Sequence, residues 1–448
     1  MKKPIALLLV LTLLLSGCSG KESSYALEPE QNVVETEQTE PTEALEQIGC
    51  AGTDAMPWKN AEVVDFSIRL LRASMEEGKN TLISPVSVLT ALSMTANGAE
   101  GETLTQMETV LGQSIEDLND WYKEDMGKDG DYLYPTNAIF IKDDPELTVA
   151  EDFLKTLEKW YETGIYMTSF NESTLREINQ LVEDNTDGMV KNILDKIPKD
   201  AVMYLVNALA FDARWETPYN EYQVSEQIFT KEDGREQRVE LMYLEEDHHV
   251  YMEKELYTGF LKNYEGGRYV FAALLPKEGI TVAELADSLS GEAISDMLGS
   301  GWHVKVLTAL PKFQTEFDVE MSEVLKSMGM TDAFDPYMAD FSSLATYSGG
   351  NIFLNRVIHK TFLSVGEQGT RAGAATVIET IAGEAMEPEE IKEVILNRPF
   401  LYMILDTHTN MPIFMGTFMD TQAPGTAVPM DAPDSFYSPA EDPCLMEG

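Results

Sequence analysis

A chain of 448 residues with 44% hydrophobic content can bury a large core. Its 77 acidic residues against 32 basic ones leave a formal net charge of −45. An excess of that size repels phosphate backbones and argues against nucleic acid as a partner; its plainest role is solubility.

The opening MKKPIALLLVLTLLLSGCSG joins a short basic head to an apolar run of signal-peptide length, too short to span a bilayer. The run stops at Leu15-Ser16-Gly17-Cys18, which resembles a bacterial lipobox. On that reading Cys18 is lipidated and becomes the mature N-terminus; the bland alternative is an ordinary secretory signal. One acyl chain anchors a protein only marginally, whereas a diacylglyceryl group supplies two or three chains. Residues 19–57 are expected to form a disordered tether. From 19 to 55 they hold nine acidic residues and one lysine, with Pro29, Pro41 and no apolar periodicity. The implied location is the extracellular face of the cytoplasmic membrane, or release after the tether is cut. Cys50 and Cys444, at opposite ends, make no disulfide framework, and a single bond between the two is left open.

The globular body begins near Trp58. WKNAEVVDFSIRLLRASMEE puts Val63, Phe66, Leu70 and Leu71 on one helical face. Ser84-Pro85 is a helix start, with serine as cap and proline in the first turn. Gly98 and Gly101 break that helix, and another follows from Glu102. YPTNAIFIKDD (134–144) and AVMYLVNALAFDARW (201–215) read as strands, the second apolar enough to be buried on both faces. Between them VAEDFLKTLEKWY and STLREINQLVEDNTDGMV are helical in period. After 220 the chain is strand-rich, with turns at Glu232-Asp233-Gly234 and Glu265-Gly266-Gly267 and helices expected at 281–298 and 319–328. LYMILDTH and PIFMGTF close the body near Met419. The tail, 421–448, is unpatterned and carries repeated prolines, the signature of disorder.

The common catalytic motifs G-x-S-x-G, H-E-x-x-H, C-x-x-C and the Walker loop are absent. The histidines are His248, His249, His303, His359 and His408. His248 and His249 are strand neighbours pointing to opposite faces, a poor start for a metal site. Ser84, Ser87 and His359 could make a hydrolase site, but no activating carboxylate or oxyanion hole is marked. No metal, cofactor or enzymatic activity is expected.

Four long segments carry a resemblance. NTLISPVSVLTALSMTANGAEGETLTQM is similar to the helix B and C region of the serpins, the serine protease inhibitor family. LVNALAFDARWETPY resembles the central strand of that family's large sheet, and ALPKFQTEFDVEMSEVLKSMGMTDAFDPYMADFSSL its strand 6A through helix I. NRPFLYMILDTHTNMPIFMGTF resembles its C-terminal strand pair. The segments stand in the family's order and cover about residues 58–420. The resemblance implies an α+β fold of three β-sheets and about nine helices, with an exposed reactive-centre loop at about 367–390. It also implies a monomer whose partner is an extracellular serine protease, held in a covalent complex. Strand 5A would be NIFLNRVIHKTFLSV, with the loop starting at Glu367.

The start of that loop can be read on its own chemistry. From 370 to 381 the even positions are Thr370, Ala372, Ala374, Thr376, Ile378 and Thr380, and both charges, Arg371 and Glu379, fall on odd positions. The even face can therefore be buried as a strand, and its small residues suit sliding beneath packed helices. A permanent strand would more usually bury Val, Ile or aromatic residues there. Gly369 can serve as hinge. The hinge residues are Glu367, Gly369, Thr370, Ala372, Ala374 and Ala375, and their small inserting face reads as inhibitory.

The implied mechanism is consumption of the inhibitor. A protease attacks the loop, forms an acyl-enzyme, and the freed segment inserts into the large sheet. About fourteen residues at roughly 3.3 Å each would carry the enzyme about 45 Å. A dozen new backbone bonds with side-chain burial release on the order of 10–20 kcal/mol, against about 5–15 kcal/mol for an ordinary domain's stability. By position Ser84, Ser87, Asn207 and His359 match the shutter, where the sheet parts, and Trp215 matches the breach, where the loop first enters. Leu181 stands where many serpins have tryptophan, which implies local repacking. The family's usual count of seventeen from Glu367 puts the scissile bond at Gly383–Glu384, with Ala382, Ala385 and Met386 as neighbouring candidates. No Lys, Arg, Phe, Tyr or Trp lies between 372 and 391, so elastase-like or subtilisin-like targets fit, with a glutamyl-specific protease second. A non-inhibitory surface-binding lipoprotein on the same scaffold is the alternative.

Overall fold

The computed structural model describes residues 61–123, 132–186, 188–199, 201–300, 302–370 and 391–421. The amphipathic period after Trp58 becomes α1 (Ala61–Ser74), which buries Val63, Phe66, Leu70 and Leu71 as expected. A short β1 (Thr81–Ile83) leads into α2 (Pro85–Ala96). Ser84 caps α2 by accepting from the Ser87 N–H, and Pro85 opens its first turn. Nearly every α2 residue is buried, so it is the central helix under the sheets. Two further helices, α3 (Gly101–Leu111) and α4 (Ile115–Trp121), cover it. The sequence reading did not single out α4, which is seven residues long and has little period to show.

Next come β2 (Leu133–Lys142), β3 (Leu147–Val149), α5 (Glu151–Tyr161), β4 (Gly164–Thr168), α6 (Glu172–Asn185), β5 (Met203–Phe211) and β6 (Ala213–Arg214). The helical period expected over 173–190 ends at Asn185, and Gly188 follows with φ of +72°. The strand-rich half holds β7 (Val224–Thr230), β8 (Glu236–Glu253), β9 (Tyr257–Asn263) and β10 (Tyr269–Pro276). The helix expected at 281–298 is two, α7 (Val282–Ser288) and α8 (Gly291–Ser300). The break lets Gly291 press against α1: a Cβ there would lie 2.3 Å from the Ala61 carbonyl, and the Gly291 N–H donates to Asp65 Oδ1 at 2.6 Å.

The remaining elements are β11 (Trp302–Pro311), β12 (Phe313–Glu320), α9 (Ser322–Ser327), β13 (Ala345–Tyr347), β14 (Ile358–Gly366), β15 (Gly369–Thr370), β16 (Lys392–Ile395), β17 (Phe400–Asp406) and β18 (Pro412–Phe418). The helix expected at 319–328 thus shrinks to six residues, because Val319 and Glu320 stay in the β12–β14 ladder. The strand expected over 351–365 starts only at Ile358. Upstream, backbone bonds go elsewhere: Leu354 N–H donates to the Ala333 carbonyl and the Val357 carbonyl accepts from Met321.

Among the described residues there are nine α-helices and four hydrogen-bonded sheets. One of nine strands runs β1-β18-β17-β10-β9-β8-β11-β16, with β7 paired to β8. Its strands β10, β17 and β18 are buried along their whole length. The others are β4-β2-β5, β12-β14-β15-β6 and the small β13-β3 pair. The α+β class and the helix count are as expected, but the large sheet stands as two ladders joined only at one end.

Candidate functional site

That division defines the site. β5 pairs with β2, and β14 pairs with β12; no ladder joins β5 to β14 among the described residues. Between the two strands lies a cavity of about 440 Å³, reached by Leu92 of α2, Val182 of α6, Asn207 of β5 and His359 of β14. The expectation of a strand buried on both faces needs correction here. Val206 and Ala208 pack under Ile178 and Val182 of α6, but Leu205, Asn207 and Leu209 are half-buried, because the strand's edge faces the opening.

At one end the opening is closed by the loop root. Gly369 and Thr370 pair with Gly366 and Val365 of β14 on one side and with Arg214 and Ala213 of β6 on the other. The first residues of the expected inserting strand therefore already occupy its top. Thr370 is 1% exposed, and its hydroxyl shares a 2.5 Å hydrogen bond with that of Tyr264. Gly369 has φ of +154°, and a Cβ on it would lie 2.2 Å from the Ala213 carbonyl and 2.7 Å from Arg214 Cα. Sequence reasoning assigned this glycine to backbone freedom; close approach to β6 is the stronger requirement.

Trp215 holds the root. Fully buried, it stacks on Tyr264 at 4.4 Å and meets Phe271 edge-on at 5.8 Å. Its indole N–H donates to the Gly366 carbonyl, and its backbone N–H to that of Gln368, both at 2.9 Å. Tyr219 N–H donates to the Glu367 carbonyl at 2.9 Å. The Glu367 carboxylate lies 2.8 Å from Lys312 Nζ. Burial opposes the Lys312 charge, but hydrogen bonds and attraction from Glu367 and Glu240 outweigh it and raise its pKa.

Of the four residues matched to the shutter, Ser87, Asn207 and His359 line the opening, and Ser84 is buried behind them. His359 Nε2 accepts from the Ser84 N–H at 3.1 Å. Ser84 Oγ donates to the Ile413 carbonyl at 2.9 Å, and Ser87 Oγ donates to Asn207 Oδ1. Burial pushes His359 down to about 4, so the ring is neutral at ordinary pH. No serine hydroxyl bonds His359 among the described residues, so these groups do not form the nucleophile–base pair that a hydrolase needs.

Sequence reading missed how far this chain runs. Asn207 Nδ2 donates to Asn137 Oδ1 at 2.7 Å, and Asn137 Nδ2 donates to the Tyr122 hydroxyl at 2.7 Å and the Tyr161 carbonyl at 2.9 Å. An asparagine inside the apolar strand β2 was the available signal. Leu181, like Phe170, Tyr204 and Ile358, is partly buried against the α6 cluster. Cys18, the tether, Ala372, Ala374, Ala375, the Gly383–Glu384 bond with Ala382, Ala385 and Met386, and the tail beyond Thr421 lie outside the described residues.

A family model described as Serpin (serine protease inhibitor) matches residues 61–421. The chain is a serpin. Plasminogen activator inhibitor 1 of Sus scrofa is 30% identical over 380 residues, which cover 80% of this serpin and 91% of that protein. An uncharacterized serpin-like protein of Thermococcus kodakarensis is 28% identical over 438 residues, 94% of this chain and 99% of its own. The crystal structure of the thermophilic serpin Tengpin in the native state is 44% identical, with a TM-score of 0.75 over 80% of this chain and 93% of that one. The latent state of Tengpin matches at 40% identity and a TM-score of 0.71, over 81% of this chain and 97% of that one.

Proposed function

We propose that this serpin is a suicide-substrate inhibitor of extracellular serine proteases, of elastase-like or subtilisin-like specificity, and that it traps the acyl-enzyme by inserting its loop between β5 and β14. The supporting observation is the loop root: Gly369 and Thr370 are paired on both sides while the strands below them stand apart. Continuing β15 downward would give β5 and β14 the ladder partner each lacks on its facing edge. The Ser84–Ser87–Asn207–His359 group lies along that path, where bonds must be remade as the strand passes. The hinge is Glu367, Gly369, Thr370, Ala372, Ala374 and Ala375, and the reactive bond Gly383–Glu384. The inhibitor acts as a monomer, needs no cofactor or metal, and is held outside the cytoplasmic membrane by lipid on Cys18 and the acidic segment 19–57.

The test is incubation with trypsin, chymotrypsin, elastase and subtilisin at equal active-site concentration, followed by denaturing electrophoresis. A band at the summed mass with elastase or subtilisin is expected. Fast complex formation with trypsin and none with those two would overturn the specificity. Cleavage without any complex would favour the non-inhibitory surface-binding alternative.

A further inference from the structure

Strand β9 reads YTGFLKN, and Lys262 is a charge set in an apolar run. Its side chain is 2% exposed. Nζ donates to the Thr217 carbonyl at 2.9 Å and lies 4.6 Å from the centre of the Tyr219 ring and 5.5 Å from that of Trp215. The carboxylate it pairs with, Glu246 Oε2, is 3.8 Å away, an ion pair longer than a hydrogen bond. An ammonium has three N–H donors, and among the described residues this one makes a single hydrogen bond.

The position matters as much as the burial. Thr217 sits between Trp215 and Tyr219, whose N–H groups hold Gln368 and Glu367 of the loop root. Glu246 pairs with Val306 of β11, and Val306 pairs in turn with Lys392, where the chain re-enters the sheet after the loop. The Lys262–Glu246 pair therefore lies between the two anchors of one loop.

We propose that Lys262 is a positioning residue that biases the breach toward opening: its buried, under-bonded ammonium raises the free energy of the closed arrangement of 215–219 on 366–370, and opening relieves that cost by letting water reach Nζ. The idea rests on the reading of 366–390 as an inserting loop, but requires no protease. Removing a charge from water is unfavourable, and one carboxylate at 3.8 Å and two ring faces offset this only in part. A well-packed apolar side chain at such a site is often more stable than the ion.

Charge state supplies a handle. Burial lowers Lys262 to about 8, against the opposing attraction of Glu246 and Glu216. The other titratable groups of the cluster are Tyr219 and Tyr264, which burial raises, and Glu367 with Lys312, which pair with each other. In an opened breach Lys262 would titrate near its ordinary 10.5. Between those values the open form binds more protons, so raising the pH through this window favours the closed form. The opening bias is full below about pH 8 and gone above about 10.5.

Hydrogen exchange of the full chain, read at the Trp215 and Tyr219 amides from pH 6.5 to 10, tests this. Protection corrected for intrinsic exchange should rise at least about tenfold between pH 7 and 10; a displacement of this size allows at most about two orders of magnitude. Lys262→Met alone leaves Glu246 facing an apolar chain, so the deciding variant is Lys262→Met with Glu246→Gln. It should be protected at every pH as well as the wild type is at pH 10. A flat wild-type profile, or lower protection in the double variant than in the wild type at pH 7, would overturn the proposal. Neither readout depends on covalent complex formation, so failure of inhibition and failure of this inference remain distinguishable.

Discussion

His359 is 5% exposed and accepts the Ser84 N–H, so protonation would both charge a buried ring and remove the acceptor. Its pKa falls from 6.5 unfolded to about 4 folded, so between those values the unfolded chain binds more protons and stability rises with pH. On acidification the loss begins near pH 6.5, levels off near pH 4, and amounts to about 3 kcal/mol. His359→Gln keeps an acceptor without a charge. The wild type should lose that much more than the variant between pH 7 and 4, measured by urea unfolding at each pH. Gly369 is the other sharply constrained residue. Gly369→Ala drives a Cβ into the β6 backbone and should cost about 1–3 kcal/mol locally. Faster amide exchange at Trp215 and Tyr219 is the expected readout, and unchanged exchange would mean the root sits elsewhere in solution.

At the scale of elements, the decisive piece is β15, two residues long and paired on both sides. Its Thr370 is buried with its hydroxyl on Tyr264. Thr370→Arg or Ala372→Glu would bury an unpaired charge at several kcal/mol and slow insertion. Deacylation should then win. The loop should be cut at the same bond while the stoichiometry of inhibition climbs steeply, with thermal melts confirming that the body is folded. Unchanged stoichiometry in both variants would sink the insertion mechanism. The gap below β15 also explains where strand prediction fell short. Residues 351–357 carry β-forming side chains, but their backbone groups bond to Ala333 and Met321. A pattern of side chains does not report which backbone partner is within reach.

At the scale of the whole molecule, the lipid anchor proposed at Cys18 and the protease trap proposed for the body should be separable. Cys18→Ala should shift the protein out of the membrane fraction while leaving protease trapping by the body intact. Retention in the membrane fraction would refute the lipid anchor, and lost trapping would show that the anchor and body are not independent. The formal charge of −45 bears on solubility and on which proteases approach, and says little about the fold.

From the sequence by itself came the Ser84-Pro85 cap, the apolar periods of the long elements and the small-residue alternation that begins at Thr370, all matters of local chemistry. The fold class, and the roles expected of Ser84, Ser87, Asn207, His359 and Trp215, followed from the resemblance of long segments to the serpins, taken in order along the chain. Tertiary structure alone decided that the large sheet stands parted below β15. It also decided that Gly369 is required by contact with β6 and that His359 bonds a backbone N–H instead of a hydroxyl. The extension of the polar chain through Asn137 to Tyr122 and Tyr161, and the placement of Lys262 beneath the breach, belong with these. Each depends on atoms brought together from segments far apart in the chain. Burial and desolvation are properties of that assembled environment, and no residue's own identity or local pattern carries them.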